Sequence, residues 1–142
     1  MKNIFTEFSM SKTKSIHRFP IVPAGAGGQS LPFAKAVRAG DFIYVSGQVA
    51  MRDGEIITGG IVEQAHLTIQ NVAEILKETG CGFEHVVKVN VWLDDPRDFW
   101  SFNKVFAEYF GDHPPARSTV QSAIMVDAKI EIDVIAFNPL PD

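Results

Sequence analysis

The stretch KIEIDVIAF, residues 129–137, constrains the fold more than any other part of this chain. In an extended conformation it alternates. Ile130, Ile132, Val134 and Ala136 share one face; Glu131, Asp133, Ile135 and Phe137 share the other. The first face is wholly apolar and calls for a layer of helices over it. The second mixes two carboxylates with two large apolar side chains. With Trp92 of another strand, Ile135 and Phe137 would leave an apolar patch in water, and a patch of that kind on a sheet marks an interface. A homo-oligomer that buries this second face is therefore expected.

The rest of the chain supplies the helices and the other strands. Residues 42–49, FIYVSGQV, are rich in β-branched and aromatic side chains and read as a strand. Asp53-Gly54 predicts a hairpin turn, with a short return strand at Glu55–Thr58. Residues 61–79 carry Ile61, Ala65, Ile69, Val72 and Leu76 at helical spacing, and Gly80 closes that helix. In VVKVNVWL, residues 86–93, Val87, Val89, Val91 and Leu93 fall on one side, with Lys88, Asn90 and Trp92 on the other. Asp95 is a candidate N-cap, and Pro96 suits the first position of a second helix over 97–110. Its buried stripe is Phe99, Phe102, Phe106 and Tyr109 or Phe110. Strands follow near 116–122 and 129–137, and a further strand is expected near 17–22. The order predicts one α+β domain over 16–142, a mixed sheet with two helices packed on one face. Residues 1–15 read as a flexible N-terminal extension.

Composition narrows the function classes. A chain of 142 residues can bury one real core. Its net charge is −4, with no basic cluster, which gives nucleic acid little electrostatic purchase. No apolar run approaches the roughly 20 residues that span a bilayer, and the N-terminus lacks the apolar core of a signal peptide. The single cysteine, Cys81, cannot form a disulfide within the chain, so a reducing, cytoplasmic setting is expected. Cys81 lies in a Gly80-Cys81-Gly82 turn and reads as a structural thiol. His17, His66, His85 and His113 lack metal-ligand spacing, so no metal is expected. No phosphate loop is present; GAGG at 25–28 precedes no clear helix.

Four places carry candidate chemistry. In HPPARSTVQ, residues 113–121, two prolines stiffen the turn into a strand and so fix the position of the first strand residues. Arg117 is either an ordinary surface arginine or a planar fork held for a carboxylate. Arg117, Thr119 and Gln121 should share one face of their strand. Glu131 sits in mid-strand between isoleucines, where a carboxylate is disfavoured unless used or paired. It could orient a water or take a proton, or make a salt bridge to a neighbouring strand. Ser46-Gly47-Gln48 marks either the close approach of a ligand or a bulge. The Ser46 hydroxyl could donate to a carboxylate. Asn103 is a polar residue on an aromatic helix, either at the edge of a face or bonding at a site.

PFAKAVRAGDFIYVSGQ at 32–48, VVKVNVWLDDPRDFWSFNKVFAEYF at 86–110, PPARSTVQ at 114–121 and KIEIDVIAF at 129–137 together resemble the Rid family, the YjgF-type or L-PSP-like reactive intermediate deaminases. The resemblance covers about residues 17–138. It implies a chorismate-mutase-like fold and a homotrimer whose sheets form a central barrel with clefts between subunits. It also implies cofactor-independent hydrolysis of enamines and imines, such as 2-aminoacrylate and 2-imino acids of the 2-iminobutanoate and 2-iminopropanoate type, to 2-keto acids and ammonia. By position, Arg117 would clamp the substrate carboxylate. Glu131 and the Thr119 carbonyl would hold the attacking water. Ser46, the Gly47 backbone N–H and Asn103 would line the cleft. Phe33 stands where the family's best-known members have tyrosine, and Thr119 where many have cysteine. Two other functions fall within the resemblance: a non-enzymatic binder of small carboxylates such as 2-keto acids, and a ribonuclease or translation inhibitor.

Overall fold

A computed structural model describes residues 16–21 and 30–141. The expected extension at 1–15 and the GAGG stretch lie outside the described residues. Among the described residues, eight strands and two α-helices form: β1 (Ile16–Phe19), β2 (Ala36–Ala39), β3 (Phe42–Gln48), β4 (Met51–Arg52), β5 (Glu55–Ile56), α1 (Ile61–Glu78), β6 (Val86–Leu93), α2 (Phe99–Phe110), β7 (Ala116–Gln121) and β8 (Ile130–Phe137). The main sheet has the order β1-β2-β3-β8-β6-β7, and β4-β5 is a separate hairpin. Pairing is antiparallel except between β6 and β7, which run parallel. This is the expected α+β class with a mixed sheet. Both helices lie over one face, because their buried side chains share one core with Ile130, Ile132, Val134 and Ala136.

The predicted stripe of α1 is buried throughout: Ile61, Ala65, Ile69, Val72 and Leu76. Gly80 follows the helix with φ of 84°, a left-handed conformation that suits glycine. At the β4–β5 turn, Asp53 and Gly54 both have positive φ, 52° and 81°, as an Asp-Gly two-residue hairpin requires. The return strand ends at Ile56 rather than Thr58.

Three expectations need correction. First, the sequence pattern does not predict β2. Its four residues are too few to show a period, but it forms a hairpin with β3 in which Ala39 faces Phe42 across Gly40-Asp41, and Gly40 has φ of 60°. Second, Val87 does not join Val89, Val91 and Leu93. The β6–β8 register shifts between Val86 and Lys88. That irregularity turns Val86 into the core and leaves Val87 exposed. Third, the second α-helix begins at Phe99, not residue 97. Asp95 does cap, but it caps a 3-10 turn at Pro96–Asp98, where its Oδ1 accepts from the Arg97 amide at 2.9 Å. Phe102, Phe106 and Phe110 form the buried stripe, with Phe99 and Tyr109 partly covered.

The second face of the sheet carries Tyr44, Trp92, Ile135 and Phe137 with no layer of the described residues over it, and Tyr44 and Phe137 are exposed. The aromatic core on the other face should dominate stability. Phe110 is 1% exposed and stacks on Phe106 with ring centroids 4.4 Å apart. Phe110→Ala is expected to lower unfolding free energy by about 3–5 kcal/mol in urea titration, with native-like circular dichroism below the transition.

Candidate active site

β7 is an edge strand, reached from α2 through the Pro114-Pro115 turn. Its parallel register sets Arg117 beside Val89 and Thr119 beside Val91. Both valines are buried beneath the helices, so Arg117 and Thr119 also point to the helix side. There the guanidinium carbon of Arg117 lies 4.7 Å from the Phe106 ring centroid, 5.1 Å from Phe102 and 5.8 Å from Phe99. Cation–π attraction to three ring faces holds it. Its Nη2 donates to Asn103 Oδ1 at 2.7 Å. The two readings of Asn103 thus resolve into one role within the chain, orienting the arginine.

Burial lowers the Arg117 pKa below its ordinary value, yet a guanidinium remains protonated in proteins. Among the described residues no carboxylate lies within ion-pair distance of it. The result is a half-buried cation offset by one neutral acceptor and by ring faces. A guanidinium has five N–H donors, so a planar anion can still be met by the rest of the fork.

A second cluster forms on the other face of the sheet. Glu131 alternates with the fully buried Ile130 and Ile132 and therefore points away from the helices. It lies opposite Trp92 on β6. The β3–β8 register shifts between Val45 and Gln48, and Gly47 sits in that bulge against the Glu131 side chain. A Cβ built on Gly47 would stand 2.7 Å from Glu131 Oε2 and 3.0 Å from its Cδ. Only glycine leaves the carboxylate where it is. Both readings of the Ser46-Gly47-Gln48 stretch therefore apply here, a bulge and a close approach, although the approaching group is the chain's own carboxylate.

Glu131 has no lysine or arginine partner among the described residues, which leaves the salt-bridge reading without support. Burial raises its pKa above the ordinary 4.5, and the negative charge of Asp133 raises it further. Asp133 accepts a hydrogen bond from Asn90 Nδ2 at 2.9 Å. An unpaired carboxyl with a raised pKa is suited to carry a proton.

Ser46 does something the sequence did not indicate. Its Oγ donates to the Ala34 carbonyl at 2.6 Å, and its amide donates to the Lys35 carbonyl at 2.9 Å. Its one hydroxyl proton is thus used to tie the segment carrying the exposed Phe33 onto β3, leaving the oxygen as an acceptor. Sharing the Phe99 ring with the Arg117 cradle, a cleft of about 240 Å³ is lined by Leu93, Pro96, Phe99, Trp100, Thr119, Val120 and Gln121. The Thr119 hydroxyl is buried with no partner. Sequence reasoning missed this cleft, and missed that the Phe99–Phe106 stripe cradles the arginine. Trp100, outside the apolar stripe of α2, was the available signal.

The candidate residues therefore divide. Arg117, Asn103 and Thr119 gather on the helix side, at the sheet edge. Glu131 and Gly47 gather on the open face, and Ser46 secures the Phe33 segment next to them. Within one chain the two clusters do not converge. Among the described residues no three His, Cys, Asp or Glu side chains are grouped to hold a metal. Cys81 is buried, with Asn138 Nδ2 3.8 Å from its sulfur.

The family model described as Endoribonuclease L-PSP matches residues 27–138. Human 2-iminobutanoate/2-iminopropanoate deaminase is 38% identical over 125 residues, covering 86% of this chain and 91% of the human one. A RutC family protein of Pyrococcus abyssi is 42% identical over 109 residues, 75% of this chain and 86% of that one. Yeast MMF1, a protein named as mitochondrial, is 41% identical over 106 residues, 73% of each chain. The crystal structure of yeast Mmf1 superposes with a TM-score of 0.79 at 34% identity, covering 87% of this chain and 98% of that one. The chain belongs to the YjgF/Rid family.

Proposed function

We propose that this protein hydrolyses 2-imino acids and their enamine tautomers, 2-aminoacrylate among them, to 2-keto acids and ammonia without a cofactor. The observation that carries this is Arg117: a half-buried cation, oriented by Asn103 and three rings, with no carboxylate among the described residues to meet. A substrate carboxylate fits that fork.

The chemistry asks little more of the protein. Water adds through oxygen to C2 of the protonated imine, whose C=N π electrons move to nitrogen. Glu131 takes the proton released by the water and passes it to the nitrogen of the resulting amino alcohol. The C–N bond then breaks, ammonia departs, and the hydroxyl becomes the keto group as its proton is lost. The Thr119 carbonyl is the second anchor for the water; an edge strand such as β7 presents backbone carbonyls on its unpaired side. Orientation of water and imine within one cleft supplies most of the acceleration.

Because Arg117 and Glu131 occupy opposite faces of one chain, this reading includes a homotrimer. The β7 edge of one copy would lie beside the Glu131–Gly47 face of the next, and the apolar side chains of the open faces would be buried in a central barrel. Phe33 would stand at the mouth of each cleft. The compartment proposed is the cytoplasm, since the one cysteine suits a reducing setting and no helix among the described residues is long and apolar enough to cross a membrane.

A second reading, carriage of 2-keto acids without catalysis, is favoured by one fact: the arginine clamp is complete in a single chain and the proton carrier is not part of it. Ribonuclease activity has less support, because Arg117 is a lone cation in an aromatic cradle and phosphate binding rests on several basic contacts.

Three outcomes test the proposal. Arg117→Ala should cut kcat/KM for imine hydrolysis about 100-fold or more, since two charge-assisted bonds are lost, and Arg117→Lys should restore only part of it. Semicarbazide trapping of imines generated by an amino-acid oxidase measures both. Gly47→Ala collides only with the flexible end of Glu131, so its melting temperature should stay near wild type. Its turnover should fall about 10–100-fold as the carboxylate is displaced; unchanged turnover would remove Glu131 from the mechanism. Ile135→Lys should lower both the sedimenting mass and the activity, and a fully active monomer would sink the shared cleft.

A further inference from the structure

The cleft that shares Phe99 with the Arg117 cradle bears on which side chain the substrate carries. It is larger than a short-chain imino acid needs. A dry protein cavity of about 150 Å³ holds a benzene ring, and this one measures about 240 Å³. Five of its lining residues are apolar, Leu93, Pro96, Phe99, Trp100 and Val120, and Thr119 and Gln121 supply its polar wall. It shares a wall with the clamp: Phe99 both lines it and lies 5.8 Å, ring centroid to guanidinium carbon, from Arg117. Thr119, two residues beyond Arg117 on the same face of β7, stands roughly 7 Å along the strand. A substrate with its carboxylate on Arg117 would enter this space by extending its side chain past the shared Phe99 ring.

We propose that the cleft is the side-chain subsite of the proposed imino-acid site, with Trp100 its specificity-determining wall, and that it selects 2-imino acids bearing a large apolar or aromatic side chain over those bearing a methyl or ethyl group. Trp100 is 75% exposed, so most of its indole is open to a ligand. A methyl group would leave the cleft wet, whereas a phenyl or isobutyl group would cover the indole and the Phe99 ring.

This inference rests on the carboxylate clamp of the proposed function but can be separated from the catalytic step. Imines generated in situ from alanine, 2-aminobutyrate, leucine and phenylalanine by an amino-acid oxidase would be compared as kcat/KM on wild type and Trp100→Ala. In parallel, calorimetry would give the affinities of pyruvate and phenylpyruvate for the same two proteins. Trp100 is exposed, so its removal leaves the core intact. The expected result is a preference of about 10-fold or more for the phenylalanine-derived imine over the alanine-derived one. The ratio should fall toward unity in Trp100→Ala, and the keto-acid affinities should follow the same order. If the short imine is hydrolysed as well as the long one, or Trp100→Ala leaves the ratio unchanged, the subsite is overturned while the deaminase reading stands. If no imine is hydrolysed but phenylpyruvate binds more tightly than pyruvate in a Trp100-dependent way, the subsite stands and the deaminase reading falls. Equal keto-acid affinities without hydrolysis would overturn both.

Discussion

The register of β8 is the constraint on which the rest depends. Ile130, Ile132, Val134 and Ala136 are each 0–1% exposed beneath the helices. A slip of one residue would bury Glu131 and Asp133 in that core and expel the aliphatic residues. Burying carboxylates without partners costs far more than such a strand could offset. With β8 fixed, its pairing to β6 turns Val89 and Val91 inward, and the parallel β6–β7 pairing then directs Arg117 and Thr119 to the helix side. One choice of register thus places the cation on one face and the carboxyl on the other. Their separation follows from hydrophobic burial and needs no separate chemical device.

The same core that folds the domain also holds the arginine. α2 must bury Phe102 and Phe106 for the domain to fold, and the edges of that same stripe face the guanidinium. Each cation–π contact contributes about 0.5–2 kcal/mol, set against the desolvation that lowers the Arg117 pKa. Asn103 supplies an acceptor without charge. An aspartate at that position would neutralise the cation and close the fork to a ligand. A lysine in place of Arg117 would keep the charge but lose the planar match to both the rings and a carboxylate. Low local dielectric strengthens the attraction of the remaining donors for an incoming anion.

Much of this was legible in the chain, and the features that escaped did so for definable reasons. Helical spacing located both helices, alternation located β6 and β8, and β-branched composition located β3. β2 escaped because four residues, AVRA, show no period, although the Gly40-Asp41 turn after it was a usable hairpin signal. The misassigned Val87 reflects a shift of register, which depends on the partner strand and not on local sequence. At the site, residue type pointed to Arg117, Glu131, Gly47 and Asn103, since each was out of keeping with its surroundings. Their grouping into two clusters was not readable, because it depends on a parallel pairing between strands separated by a helix. Nor could the sequence reveal that Ser46 donates its proton to Ala34.

The two half-sites also coincide with the two surfaces of the sheet that most need a partner. Among the described residues β7 ends the sheet and offers an unpaired edge, a feature that proteins ordinarily cover or blunt. The open face carries Tyr44 and Phe137 in water, which a second copy would remove from it. Arg117 lies at the first surface and Glu131 at the second. In the proposed trimer, covering both surfaces would therefore build the cleft, and assembly would complete it in one step. Gly47 gains a second role in that arrangement. With no side chain at the bulge, its backbone can be approached by a neighbouring copy while the Glu131 carboxyl rests against it. A larger residue there would push the carboxyl toward the very space where substrate and partner must meet.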